Sequence, residues 1–280
     1  MAGTRLRLLP GLPVLRRDER HLQVGLEPGR AVVLPDEPGV RRVLAEARAG
    51  GVHPDGPHAT DHPAARALQI LAEAGLITDP ADLAARHLAR AACLVEVDAS
   101  ADVRARVLPV LAAAGLAAHR GEPADRADAS VRLVVREGVV PRSGLDDAAR
   151  DGLPHLVIGA QPGSVTVGPF VHPGVTACLR CLDAHRAAAD PRWPLLVEQA
   201  GQAGSRGQAG RLPVDPLLQH LALVWAAADL RAWAEGARPS TWSASVRFAG
   251  ADGTAPTHER QEWTRHPGCG CAWGAALTTG

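Results

Sequence analysis

The sequence predicts an α/β protein whose main sheet is parallel at least in its first part, preceded by a small α+β module. Three observations carry this. From residue 92 to 168, β-prone apolar runs alternate with helical patterns. Residues 1–80 hold three short strand-like runs followed by helices. Two cysteine pairs, Cys178-Leu-Arg-Cys181 and Cys269-Gly-Cys271, stand about ninety residues apart, each preceded by His-Pro-Gly.

With 280 residues, 46% of them hydrophobic, and a formal net charge of zero, the chain can bury a sizeable core. One small module (1–80) plus one medium domain (81–280) is expected. Neutral balance gives no electrostatic case for nucleic acid or an anionic membrane surface. No run approaches the ~18 apolar residues of a membrane span. The N-terminal residues lack the apolar stretch of a signal peptide, so a cytoplasmic location is expected. A reducing compartment favours metal over disulfide for the five cysteines. All thirty basic residues are arginine, which removes lysine-based chemistry.

In the first module, residues 12–15, 21–26 and 31–34 read as strands, with Asp18-Glu19 and Pro28-Gly29 as turns. Val40, Val43, Leu44 and Ala47 fall at helical spacing, stopped by Gly50-Gly51. Residues 51–62, with His53, His58 and His62 and no periodicity, read as a solvated loop. A second helix opens at Pro63 with Leu68, Leu71, Ala72 and Leu76 on one face. Small strands followed by helices make a winged-helix-like arrangement, which binds DNA or peptides. The second helix offers Arg66 against Glu73, which disfavours DNA. A free strand edge beside an apolar helix suits an extended peptide added as a further strand. Val32, Val33, Leu34, Leu68, Leu71 and Ala72 are the expected peptide-binding residues. A plain dimerisation or packing domain is the alternative.

Beyond a joint at Pro80, residues 82–90 read as a connecting helix, 92–97 as a strand and 101–114 as a helix closed by Gly115. Residues 131–135 form a strand and 144–151 a short helix, and strands at 154–158 and 164–168 follow. Residues 183–190 are expected to be helical. Residues 200–211, built from Gly, Gln, Ala, Ser and Arg only, read as a low-complexity mobile stretch. Asp215-Pro216 opens the clearest helix, with Leu217, Leu218, Leu221, Val224, Trp225 and Ala228 on its apolar face. A closing pair of strands is expected at 242–248 and 258–263.

Two residues between cysteines is the commonest knuckle spacing, and Cys269-x-Cys271 is tighter. Zinc takes four tetrahedral ligands at ~2.3 Å from sulfur, and a site with no open position is structural rather than catalytic. A clasp of Cys178, Cys181, Cys269 and Cys271 pinning the tail to the middle of the fold is the reading. A disulfide or two unrelated pairs of core cysteines are the alternatives. His185 shares a helix face with Cys181, as a donor behind a zinc thiolate or merely a surface histidine. His172 and His266 could replace a cysteine, or orient the knuckle turns. Ser143, His155 and Asp146 make a triad only on paper, since twelve histidines and thirty acids generate such sets by chance.

Pro154-His155-Leu156, Val167-Gly168-Pro169 and Pro173-Gly174 lead into Cys178-Leu-Arg-Cys181-Leu-Asp183-x-His185-Arg186. Asp190-Pro191-x-Trp193-Pro194 and His266-Pro-Gly-Cys269-x-Cys271 extend the pattern. These residues resemble the E1-like (ThiF-type) proteins of ribosomal peptide natural-product pathways, the partners of YcaO cyclodehydratases in azole and azoline (TOMM) clusters. The resemblance covers most of the chain and is densest over 154–194. It implies a ThiF/E1-like Rossmann-type domain, zinc on the four cysteines and an N-terminal module that grips the leader of a precursor peptide.

The wider E1 superfamily adenylates a carboxylate with ATP, which needs a glycine-rich turn after the first strand. Here that turn is Asp98-Ala-Ser-Ala-Asp102, with no glycine, two carboxylates and Glu96 close by. The superfamily's phosphate-binding lysine has no counterpart. Cys93 falls in a core strand and reads as a buried small hydrophobe rather than a thioester nucleophile. The domain therefore reads as degenerate, with no ATP expected. The module also has the 51–62 loop where a recognition domain carries a further helix. The expected function is a non-catalytic, homodimeric scaffold that presents a leader-bound peptide to a YcaO-type enzyme. An active adenylyltransferase using Arg104 or Arg180 in place of lysine is one alternative. A purely structural zinc protein is another.

Overall fold

The computed structural model describes residues 5–119, 129–205, 214–250 and 255–271. The chain divides into two units, 1–88 and 89–280, each with its own core. The division falls inside a helix, α3 (Pro80–Ala92), later than the expected joint at Pro80.

In the first unit, β2 (Val14–Arg16), β3 (His21–Val24) and β4 (Val32–Pro35) form an antiparallel sheet in that order, so β4 lies at an edge. A second small ladder joins β1 (Arg7–Leu8) to β5 (Ile77–Thr78), two pieces too short to leave a periodic signal. Helices α1 (Pro38–Ala49) and α2 (His62–Glu73) follow the three strands in the expected order. Val40, Val43, Leu44 and Ala47 of α1 close on Leu34, Leu68 and Leu71 in one buried cluster. Residues 51–62 are not the solvated loop that was expected. Val52 bridges Leu6, residues 57–60 wind into a 3-10 turn, and His58 is buried. Gly56 makes this possible, because a side chain there would meet the His58 ring at 2.8 Å.

Among the described residues, the second unit is built on a seven-stranded sheet in the order β12-β11-β10-β9-β8-β6-β7. β6 (Leu94–Asp98), β7 (Ala117–His119), β8 (Val131–Arg136) and β9 (His155–Gln161) are parallel, as expected for the first part. β10 (Ser164–Val171), β11 (Ala244–Ala249) and β12 (Thr257–Glu262) continue it antiparallel. Side chains alternate across the pleat. On one face Leu133, Leu156, Ile158, Val165 and Val246 pack with α4 (Ala101–Ala113) and α8 (Pro216–Ala234). On the other, Val134 and Val157 pack with Leu145, Leu179, Leu182 and Trp263. The short α5 (Asp146–Arg150) and α6 (Leu179–Ala187) belong to this second face.

At Gly168, β10 kinks through a bulge that ends in a cis bond to Pro169. Its φ is +96°, and a Cβ would lie 2.5 Å from the Ala244 carbonyl oxygen, so no other residue fits.

Two expectations fail here. The apolar face assigned to α8 is largely the wrong one. Leu218, Ala222, Leu223, Ala226, Ala227 and Leu230 are buried, whereas Leu217, Leu221 and Val224 are 68%, 42% and 59% exposed. The helix is apolar nearly all round, so its periodicity carries little direction, and alanines give the closer approach to the sheet. The low-complexity stretch, expected to be mobile, is helical where it is described. Its first part, to Ser205, is the end of helix α7 (Trp193–Ser205), and the remainder lies outside the described residues. Pro194 in the first turn of α7 was the missed start signal.

Candidate metal centre

The first cysteine pair is delivered by a turn whose backbone closes on itself. The His172 carbonyl accepts from the N–H groups of Val175 and Thr176, and the His172 N–H donates to the Thr176 hydroxyl at 2.8 Å. Ala177 N–H donates to the Ser243 hydroxyl at 3.0 Å, which leaves Cys178 at the N-cap of α6. Cys181 follows one turn later, its N–H on the Cys178 carbonyl. In the second pair, Gly268 N–H donates to His266 Nδ1 at 3.1 Å and Cys269 N–H to the His266 carbonyl at 2.9 Å. His266 therefore orients the knuckle turn. His172 stacks edge-on against Trp233 and Trp242, 5.4 and 5.7 Å between centroids, and is not drawn to the sulfurs.

All four sulfurs lie within 4.8 Å of one another. Cys178 is 3.8 Å from Cys181 and 3.7 Å from Cys269, and Cys181 is 3.4 Å from Cys271. A tetrahedron with ~2.3 Å metal–sulfur bonds has edges of ~3.8 Å, whereas a disulfide would need ~2.05 Å. None of the five cysteines is bridged. The set can hold a metal ion with four sulfur ligands and is compatible with zinc. Protons are shared unequally among the thiols. Hydrogen bonding from Cys178, helped by backbone N–H groups, draws Cys181 down to about 4. The same bond raises Cys178, and burial pushes Cys271 up to about 11. A metal ion would displace the remaining protons.

Around this centre the residues of the resemblance interlock. Asp183 takes a two-pronged bond from Arg142, Nε to Oδ2 at 2.6 Å and Nη2 to Oδ1 at 2.8 Å, with both partners buried. Trp193 Nε1 donates to the same carboxylate at 3.0 Å. The Arg186 guanidinium lies 4.9 Å from the Trp193 ring and 5.4 Å from that of Trp263. Trp263 Nε1 donates to the Ser245 hydroxyl. His185 Nε2 bonds the Thr264 carbonyl at 2.9 Å, so it braces the strap leading to the second pair. Arg142 was not foreseen, because nothing local in the sequence ties it to Asp183.

At the other end of the parallel strands, the turn after β6 lies where the sequence put it, with Ser100 as the N-cap of α4. Its charges are engaged internally. Arg136 donates to the Asp98 carboxylate and carbonyl, both at 2.7 Å, and Arg104 to the Ala99 carbonyl at 3.1 Å. Glu96 is paired with Arg132 at 2.7 Å. Cys93 is buried just before β6, and burial pushes its thiol up. The paper triad has no geometry. His155 Nδ1 bonds the Leu153 carbonyl, and Asp146 is held by Arg180.

The six expected peptide-binding residues separate by depth. Leu34, Leu68 and Leu71 are buried in the core of the first unit. Val32 is half-buried, Val33 is 44% exposed, and Ala72 is exposed. β4 and α2 pack against each other, and the three buried leucines belong to the core between them.

No protein-family model and no curated protein matches the chain. Among solved structures it is similar to the heterocyclase TruD, with 17% identity and a TM-score of 0.70 over 96% of this chain. It spans 43% of the TruD chain. It is also similar to MccB of E. coli, solved with MccA, at 11% identity and a TM-score of 0.64, covering 96% of this chain and 99% of that one. MccB solved with ATP gives 11% identity and a TM-score of 0.62, over 95% of this chain and 99% of that one. Likeness at these identities is likeness of fold. The chain therefore has the fold of the heterocyclase TruD and of MccB, in keeping with the ThiF-like, cyclodehydratase-partner resemblance of its sequence.

Proposed function

We propose that this chain acts in the modification of a ribosomally made precursor peptide as a non-catalytic scaffold. It holds the leader peptide on its first unit, a winged-helix-like recognition module, and presents the remainder to a YcaO-type cyclodehydratase. The observation that carries the non-catalytic part is the turn after β6. Asp98 and Arg136 occupy each other where a nucleotide-binding relative needs bare backbone N–H groups, and two carboxylates would repel phosphate. MccB has been solved with MccA, a substrate peptide, which supports a peptide partner.

The leader would add as a strand along the free edge of β4, with Val32, Val33 and Ala72 meeting its side chains. Leu34, Leu68 and Leu71 support that groove from beneath. The metal is zinc and its role is structural, since four thiolates leave no position for substrate. A homodimer and a docked YcaO enzyme both need uncovered apolar surface, and α8 offers Leu217, Leu221 and Val224.

Two titrations test this reading. Calorimetry with Mg-ATP is expected to give no binding at millimolar nucleotide. Clear binding would move the adenylyltransferase reading ahead, a reading to which MccB with ATP lends its fold. Fluorescence anisotropy with synthetic leader segments of azoline-type precursors should detect capture, weakened at least tenfold by Val33→Asp. Equal binding by the variant would remove the β4 edge from the reading.

A further inference from the structure

The second unit contains a cavity of about 390 Å³ between the start of β9, the end of β10, α5 and the cysteine centre. That volume falls within the ~300–1,000 Å³ typical of small-molecule sites. Its walls are mostly apolar, from Leu145, Ala149, Val171, Pro173 and Leu179.

The polar side chains around it are engaged, with one exception, and the sulfurs of Cys178 and Cys271 in its wall belong to the cysteine centre. Arg142 gives Nε and Nη2 to Asp183 and Nη1 to the Val140 carbonyl. Arg180 and Asp146 neutralise each other in a two-pronged pair at 2.9 Å. The Thr176 hydroxyl is engaged with His172. The exception is His155, a lining residue only 2% exposed. Its Nδ1 lies 3.1 Å from the Leu153 carbonyl, which can only accept, so the ring hydrogen sits on Nδ1. Nε2 then carries a lone pair, and no described side chain or backbone group is bonded to it. A ligand that brings a donor to this nitrogen gains a hydrogen bond in a mostly apolar setting.

We propose that this cavity binds a small, neutral, mostly apolar molecule carrying one N–H or O–H donor, with the donor seated on His155 Nε2. Arg142 and Arg180 are each met by a carboxylate, so neither is left to select an anion. A single acceptor selects a single donor, and the apolar walls take the rest of the molecule. All the lining residues belong to the second unit, so the site stands apart from the peptide-scaffold reading.

Indole and benzofuran provide the test, since they match in shape and differ in the N–H. Calorimetric titration of the full chain should show indole binding about three- to tenfold tighter, the worth of one hydrogen bond. The ¹⁵N resonance of His155 Nε2 should move with indole and stay in place with benzofuran. His155→Phe should bring the two affinities together. If that variant does not fold, the nitrogen resonance of the unaltered protein decides alone. Equal affinities, an unmoved Nε2 resonance, or no binding of indole up to its solubility would each overturn the proposal.

Discussion

At the end of the sheet where β9 begins, four sulfurs, a buried ion pair and two tryptophans interlock. At the end where β6 stops there is only a short turn whose charges are paired with one another. Both ends hold carboxylates and arginines, yet burial differs. The Arg142 and Asp183 side chains are 10% and 8% exposed, whereas Arg136 and Asp98 are 32% and 35% exposed. A charge taken from water must be met in full, so the first corner tolerates a single arrangement. At the second, solvent shares the load, so the pair constrains its surroundings less.

The largest expected effect comes from breaking the metal corner. Cys178→Ser combined with Cys269→Ser should abolish metal binding, which elemental analysis should find at about one zinc per chain in the unaltered protein. Structural zinc binding is worth ~10–16 kcal/mol in small peptides, and in this larger unit the loss should still exceed that of any other substitution discussed. An unchanged thermal midpoint would show that the clasp is not what holds the tail. Next, Asp183→Asn should destabilise by about 3–5 kcal/mol in urea, because Arg142 is left buried without its counter-charge. Asp98→Asn, at the solvent-shared pair, should cost no more than about 1 kcal/mol. Equal losses at the two positions would dissolve the contrast between the two ends.

The cluster of four cysteines was legible because sulfur chemistry needs a fixed residue type at short spacing, and Cys178, Cys181, Cys269 and Cys271 carry that on the surface of the sequence. The parallel order of β6, β8 and β9 was legible from alternation of strand and helix. Pairings across distance were not. Arg142 meets Asp183 forty-one positions away, and no local pattern announces it. Depth was not legible either. Leu34, Leu68 and Leu71 look like groove residues by type and spacing, yet the floor of a groove and its lip have the same apolar signature. β1, β5 and β7 span two or three residues each, too short for an alternating pattern to repeat.

Helix α8 gives the sharpest test of that last limit, because sequence and structure assign it different faces. Leu223 is buried against the sheet and Leu217 is two-thirds exposed, with the same side chain on the same helix. Leu223→Ala should cost about 2–5 kcal/mol through lost burial and the cavity left behind. Leu217→Ala should stay within about 0.5 kcal/mol, since it removes surface already in water. Urea denaturation at several protein concentrations separates two reasons for a departure. If Leu217→Ala is costly and the cost grows with concentration, the exposed stripe is covered by a second copy, and the homodimer gains its interface. If it is costly at every concentration, the helix is turned in its bed relative to the structure, and the face read from periodicity was right after all.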